Sequence, residues 1–159
     1  MIKLQGSLKI SGDKSISHRA LIFAALSVGE SKIKNLLESR DVFATINILK
    51  ELGIKIRKKS NFWVINGNGT DGFLEPNKAL NCENSGTTAR LMIGAVASNP
   101  ISCTFIGDKS LSKRSMSRVT NYLEKIGAQT KLTKEHYLPL MITGSNNLLP
   151  FSHSCSIPS

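Results

Sequence analysis

The sequence predicts a mixed α/β fold in which one β-α-β-α-β-β unit occurs twice, and three observations predict it. Alternating and 3.6-residue apolar patterns follow one another in the same order in residues 1–70 and 71–145. Glycine stands at a helix-to-strand junction in each half, in Leu52-Gly53-Ile54 and Ile126-Gly127-Ala128, 74 positions apart, where a left-handed residue ends a helix. Arg19 and Arg90, 71 positions apart, each fall in the first turns of the first helix of their half. A period of about 70 residues is longer than that of the common solenoid repeats, so each half reads as a small subdomain whose helices cover one face of a short mixed sheet.

The elements follow in order. Residues 3–10 alternate as a strand, 15–27 carry a helical pattern, 32–37 a strand and 41–52 a helix, and strands over 54–58 and 62–66 close the first unit. The run Lys55-Ile56-Arg57-Lys58-Lys59 reads as a solvated edge that discourages pairing with another strand. Gly67-Asn68-Gly69-Thr70-Asp71-Gly72 has turn chemistry and marks the internal boundary. The order then returns: 79–82 extended, 86–97 helical, 102–106 a strand, 112–126 a helix, and strands over 128–133 and 137–142. Residues 146–159 lack periodicity and read as a connection cut off before its next element.

Twenty-one Lys and Arg against eleven Asp and Glu leave a net charge of +10, a field that attracts anions. Such an excess is one footprint of nucleic-acid binding. Aromatic residues make up only 6% of the chain, however, and none interleaves a basic cluster to stack bases, so nucleic acid is not the expected partner. The longest apolar runs, 20–26 and 91–97, reach seven residues, far below the ~20 of a bilayer span. Without a secretory signal pattern, the expected location is cytoplasmic and no membrane partner is expected. Cys82, Cys103 and Cys155 have no C-x-x-C spacing and read as partly buried thiols in a reducing compartment.

A shorter repetition is chemically more telling. Gly12-Asp13-Lys14-Ser15-Ile16-Ser17-His18-Arg19 recurs as Gly107-Asp108-Lys109-Ser110-Leu111-Ser112-Lys113-Arg114, identical at six of eight positions. Each reads as a strand-to-helix turn. A helix start offers backbone N–H groups without intrahelical partners and the positive end of the macrodipole, a setting suited to phosphate or carboxylate. Lysine adds a point charge, serine a hydroxyl, and the arginine four residues after the serine a planar fork. Asn84-Ser85-Gly86-Thr87-Thr88-Ala89-Arg90 is a third version. Any one of these alone is an ordinary N-cap; three in one chain predict that at least two meet at one anionic ligand. Asp13, Asp41 and Asp108 read as counter-charges orienting nearby bases, Lys109 and Lys113 as solvated, and His18 as a surface imidazole.

Neither a Walker motif nor Gly-x-Gly-x-x-Gly after a strand is present, and His18, His136 and His153 form no metal set or Ser-His-acid constellation. The three segments, with Met116 and Arg118, instead resemble the 5-enolpyruvylshikimate-3-phosphate synthase family, in the bacterial class whose middle motif carries Ser-Gly-Thr-Thr. The resemblance runs over essentially all 159 residues. It implies an enolpyruvyl transferase fold of repeated β-α-β-α-β-β subdomains in two domains around a cleft, with residues 1–12 crossing from the other domain. It implies transfer of the enolpyruvyl group of phosphoenolpyruvate to the 5-hydroxyl of shikimate-3-phosphate, with release of phosphate and with no metal or cofactor.

Carried over by motif, Lys14 contacts both substrates and is the catalytic residue of this portion. Ser15, Arg19 and Ser159 hold shikimate-3-phosphate. Asn84, Gly86, Thr87 and Arg114 hold phosphoenolpyruvate, with Arg90 in support. Glyphosate occupies the phosphoenolpyruvate site in this family, and Gly86 resembles the inhibitor-sensitive members. Ser115 departs from the family's proline, which predicts a looser helix start after Arg114. The family's catalytic Asp and Glu have no counterpart in 159 residues, so the chain reads as the N-terminal portion of such an enzyme and is expected not to turn over without the C-terminal part. With that part missing, the helix faces bearing Leu21, Phe23, Ala24, Leu91, Ile93 and Val96 are expected to be incompletely covered. The alternatives are the sister transferase acting on UDP-N-acetylglucosamine, whose reactive cysteine is absent from Gly107–Arg114, and a basic nucleic-acid-binding domain.

Overall fold

A computed structural model describes residues 5–8, 10–134 and 136–154. Helix α1 (Lys14–Leu26) opens where the Asp13 carboxylate accepts from the Ile16 amide at 2.7 Å. Strand β1 (Val28–Lys34), helix α2 (Arg40–Glu51), capped by Ser39, and strands β2 (Lys55–Lys59) and β3 (Phe62–Asn68) follow. Beyond a connection come β4 (Leu80–Asn81), α3 (Gly86–Ala97), β5 (Ser102–Ile106), a 3₁₀ turn at Leu111–Lys113, α4 (Ser117–Leu123) running into a second 3₁₀ turn at Glu124–Ile126, and β6 (Gln129–Lys134) and β7 (Tyr137–Thr143).

The strands form two sheets. The first has the order β1-β3-β2, antiparallel throughout, with the basic β2 at one edge as expected. The second has the order β4-β5-β7-β6, in which only β4 and β5 run parallel. Helix α1 packs on β3, α3 packs on β5 and β7, and α1, α2 and α3 touch one another. The apolar faces therefore merge into one core holding Leu21, Ile46, Leu49, Ile65, Met92, Ile93, Phe105 and Leu140. Gly53 and Gly127 adopt φ +87° and +103° and end α2 and the 124–126 turn, as their positions predict.

A packing device recurs in the two sheets. A Cβ on Gly67, near the end of β3, would lie 2.2 Å from the carbonyl oxygens of Ala24 and Ser27 at the close of α1. A Cβ on Gly144, just past β7, would lie 2.2 Å from the Asn99 carbonyl and 2.5 Å from that of Val96 at the close of α3. In each case the extended chain runs directly over a helix end, and nearby amides use the orphaned carbonyls: Gly69 donates to Ser27 and Ser145 to Ala97, at 3.0 and 2.9 Å.

Four expectations need correction. Residues 5–8 and 10 form no strand, and the other positions of that expected strand lie outside the described residues. Strand β1 runs over Val28–Lys34 rather than 32–37, because its exposed start, Val28-Gly29-Glu30, is held by backbone pairing from Val28↔Asn68 onward and carries no apolar alternation; Asn35, at φ +54°, ends it. The expected helix over 112–126 is broken at Arg114, which is extended at φ −97°, ψ 126°. The Ser115 carbonyl, which a continuous helix would give to residue 119, accepts from the Arg90 guanidinium at 2.9 Å, and the Val119 amide turns to Met116. Finally, the incomplete cover expected of the helix faces holds only in part: Phe23 is well exposed and Leu91 half-buried, whereas Leu21, Ile93 and Val96 are 0% exposed and Ala24 6%.

Candidate functional site

The turn before α3 is built by short-range hydrogen bonds. Asn81 accepts from the Glu83 amide through its side chain at 2.9 Å, Glu83 takes a left-handed φ of +53°, and the Ser85 amide returns to the Cys82 carbonyl. This presents Asn84 beside the turn that follows β5, where the Asp108 amide donates to the Glu83 carbonyl at 2.8 Å. Asp108 accepts from the Ser110 and Leu111 amides at 2.9 and 2.7 Å and from the Asn84 side-chain amide at 2.6 Å. The Asn84 bond first, then the backbone amides and the nearby Arg114 charge, hold its carboxyl below the usual aspartate value. The Arg114 guanidinium donates to the Asn84 carbonyl oxygen at 3.0 Å and to the Ser110 hydroxyl at 3.3 Å. Asn84 and Arg114 thus meet across the site, oriented by Asp108.

Arg90 lies beneath them. Its two terminal nitrogens donate to the Gly86 and Ser115 carbonyls at 3.2 and 2.9 Å, and its Nε is buried without a hydrogen-bond partner. Burial first, then the charges of Arg118 and Arg114, pull its pKa below the usual arginine value. Among the described residues no ion pair engages Arg90, Arg114 or Arg118. The charges of Arg118 and Arg114 bear on Arg90, and Asp108, which lies near Arg114, offsets this positive excess only in part, so the site is one that an anion would relieve.

The second half of the site is at the start of α1 and α2. Lys14 Nζ pairs with Asp41 Oδ2 at 3.1 Å, both partly exposed, an arrangement worth at most about 1 kcal/mol and easily exchanged for a ligand. Ser15 is exposed on the first turn of α1. Thr88 joins the halves: its hydroxyl is 3.1 Å from the Asp41 carbonyl, 2.9 Å from the Thr45 hydroxyl and 2.8 Å from that of Ser85, whose oxygen also caps the Thr88 amide. His18 Nδ1 lies 2.8 Å from the Thr45 hydroxyl. These contacts bring the starts of α1, α2 and α3 to one face, with Gly86 buried and Thr87 half-buried at the lip.

Arg19 is not joined to Asn84, Arg90 or Arg114 by any hydrogen bond among the described residues. It donates to the Ser15 carbonyl at 3.2 Å and lines a groove with Phe23, Leu91 and Gly94 between α1 and α3. Ser159 lies outside the described residues, as does Cys155. The expected surface imidazole is a correction: His18 is 0% exposed, because the 3.6-residue period turns it toward α2, where Thr45 receives it. Burial, helped by Lys14 and Arg19 and opposed by Asp41, keeps its pKa below 6.5. Ser115 does not leave a loose start; its hydroxyl accepts from the Ser117 amide at 3.1 Å and donates to the Ser117 hydroxyl at 2.8 Å. Sequence reasoning missed Thr45, Thr88 and Ser85 as linking groups. The available signal was a threonine on the buried stripe of α2, where every neighbour is aliphatic. Among the described residues no group of His, Cys, Asp and Glu could hold a metal, and no helix is long and apolar enough to cross a membrane.

The family model for EPSP synthase (3-phosphoshikimate 1-carboxyvinyltransferase) matches residues 1–159. The 3-phosphoshikimate 1-carboxyvinyltransferases of Zymomonas mobilis and Parvibaculum lavamentivorans are 45% and 46% identical over 157 residues, 98% of this chain and 35% of each relative. The structure of EPSP synthase from Acinetobacter baumannii superposes with a TM-score of 0.91 at 35% identity, covering 97% of this chain and 35% of that one. The chain therefore spans about a third of the length of the relatives it matches.

Proposed function

The chain belongs to the EPSP synthase family, and on that premise we propose that it supplies one wall of an enolpyruvyl transferase site that moves the enolpyruvyl group of phosphoenolpyruvate to the 5-hydroxyl of shikimate-3-phosphate and releases phosphate. Residues 1–70 and 71–145 are the two repeated subdomains of this wall, and turnover needs the remaining two-thirds of the enzyme. The observation that carries the reading is the excess of positive charge at Arg90, Arg114 and Arg118 beside Asn84, which Asp108 offsets only in part. The Arg114 guanidinium and the Asn84 amide bind the anionic groups of phosphoenolpyruvate, with Gly86 and Thr87 at the helix start. Lys14 exchanges Asp41 for substrate and stands between the two ligands, where its charge stabilises the anionic tetrahedral intermediate. Ser15, Arg19 and Ser159 hold the phosphate of shikimate-3-phosphate, and glyphosate competes for the phosphoenolpyruvate position. The proposal places the enzyme in the cytoplasm.

Amide-shift titration of the chain tests this. Phosphoenolpyruvate is expected to move residues 84–90 and 114, shikimate-3-phosphate residues 14–19, and Arg114→Ala to abolish the first set alone. Shifts confined to the basic edge at 55–59, or tighter binding of random DNA than of shikimate-3-phosphate at moderate salt, would refute it.

A further inference from the structure

His18, Thr45, Thr88 and Ser85 are 0%, 0%, 0% and 1% exposed, and their polar atoms follow one another at 2.8, 2.9 and 2.8 Å from α1 through α2 to the cap of α3. We infer that this buried chain is a one-way hydrogen-bond relay that fixes His18 as its Nδ1–H tautomer and thereby ties Lys14, through Asp41, to the first turn of α3.

The direction follows from counting protons. Thr88 has one hydroxyl proton and approaches the Asp41 carbonyl at 3.1 Å. A carbonyl only accepts, so the proton in that contact must come from Thr88. The Thr88 hydroxyl is also directed as a donor at Ser85 Oγ at 2.8 Å, an oxygen that accepts from the Thr88 amide as well, so its single proton is taken by these acceptors on the α3 side. Thr88 therefore has nothing to give Thr45, and the 2.9 Å contact between them requires Thr45 to donate. The Thr45 oxygen is then left as an acceptor toward the imidazole, which places the ring proton on His18 Nδ1. Nε2 carries the lone pair, consistent with its burial without a partner. The charged groups around the ring, Asp41 from α2 and Lys14 and Arg19 from α1, act on it in opposing directions.

The relay has a positional consequence. Asp41 receives Lys14 on its carboxylate and Thr88 on its carbonyl, so a shift of α2 against α3 moves the Lys14 ammonium relative to Gly86 and Thr87. His18, Thr45 and Thr88 are thus positioning residues for the site proposed above; the ligand part of this inference rests on that reading, and the proton order does not.

The experiment is long-range proton–nitrogen correlation on the ¹⁵N-labelled 159-residue chain. His18 is expected to show a pyrrole-type Nδ1 and a pyridine-type Nε2 at neutral pH. In Thr88→Val the Thr45 hydroxyl loses its acceptor, turns to Nδ1 and switches His18 to the Nε2–H form, while Thr88→Ser keeps the parent pattern. Phosphoenolpyruvate affinity is expected to fall about tenfold in Thr88→Val and to be restored in Thr88→Ser, a change of about 1.4 kcal/mol. An Nε2–H His18 in the parent, or an unchanged tautomer in Thr88→Val, overturns the relay. A switched tautomer with unchanged phosphoenolpyruvate affinity overturns the positioning role. Absence of phosphoenolpyruvate binding by the parent counts against the proposed function and leaves the tautomer result to decide the relay. Should Thr88→Val fail to fold, Thr45→Val is read instead and must abolish the preference for Nδ1–H.

Discussion

Replacing Gly86 by alanine probes the link between α3 and the segment that carries Arg114. A Cβ at this position would stand 2.6 Å from Arg90 Nη1, an approach that real contacts do not reach. The guanidinium is the far end of a flexible side chain and can move, but moving breaks its 3.2 Å bond to the Gly86 carbonyl and pulls on its 2.9 Å bond to Ser115. A hydrogen bond to a charged group contributes about 1.5–3 kcal/mol. Alanine returns at most about 0.8–1 kcal/mol over glycine, the helix-interior value, since Gly86 is the first residue of α3. The net expectation is a loss of about 1–2 kcal/mol, which for a chain of this length is a fall in Tm of about 2–8 °C. Urea unfolding of Gly86→Ala, Arg90→Met and the double variant checks it. In the Arg90→Met background the alanine should become neutral or stabilising, because only the helix preference remains. Equal destabilisation in both backgrounds would show that Arg90 does not mediate the effect.

Three further outcomes are expected. The unfolded chain takes up a proton on His18 near pH 6.5 and the native chain only at lower pH, so below 6.5 stability falls as pH falls, down to the native value, and above it this contribution is flat. His18→Gln should remove that slope from urea midpoints measured between about pH 7.5 and 5; an unchanged slope contradicts the buried neutral imidazole. Gly67→Ala and Gly144→Ala each drive a Cβ into backbone carbonyls that cannot step aside, at a cost above about 4 kcal/mol, and a cooperative far-UV melt near the parent Tm would contradict the close approach. Burial pushes the thiols of Cys82 and Cys103 up to about 12, so neither should react with iodoacetamide in the native chain at neutral pH, as peptide mapping would show, and rapid labelling of either would contradict their placement.

The legibility of the sequence varied with how local each determinant is. Helix α3 and strand β5 fall where their periodicity puts them, since their apolar faces are long and uninterrupted. The same holds for two of the three expected counter-charges: Asp41 does meet Lys14, and Asp108 does sit against Asn84 and Arg114, whereas the Asp13 carboxylate caps α1 at the Ile16 amide. The break at Arg114 was invisible because its cause, the diversion of the Ser115 carbonyl to Arg90, joins residues 25 positions apart. His18 was misplaced for a related reason. A polar side chain among apolar neighbours can be read as buried only when its partner is known, and Thr45 is on another helix 27 residues away. Periodicity reports which face of an element is apolar, whereas the polar bonds that organise this site cross between elements.

The glycines over the two helix ends bear on how the molecule loosens. Terminal turns usually unravel first, at little expense. Here the final turn of α1 cannot unwind without lifting β3, and that of α3 cannot without displacing the chain leaving β7. Amide exchange in those turns should therefore be as slow as in the strands above them, each helix end and its covering strand opening together or not at all.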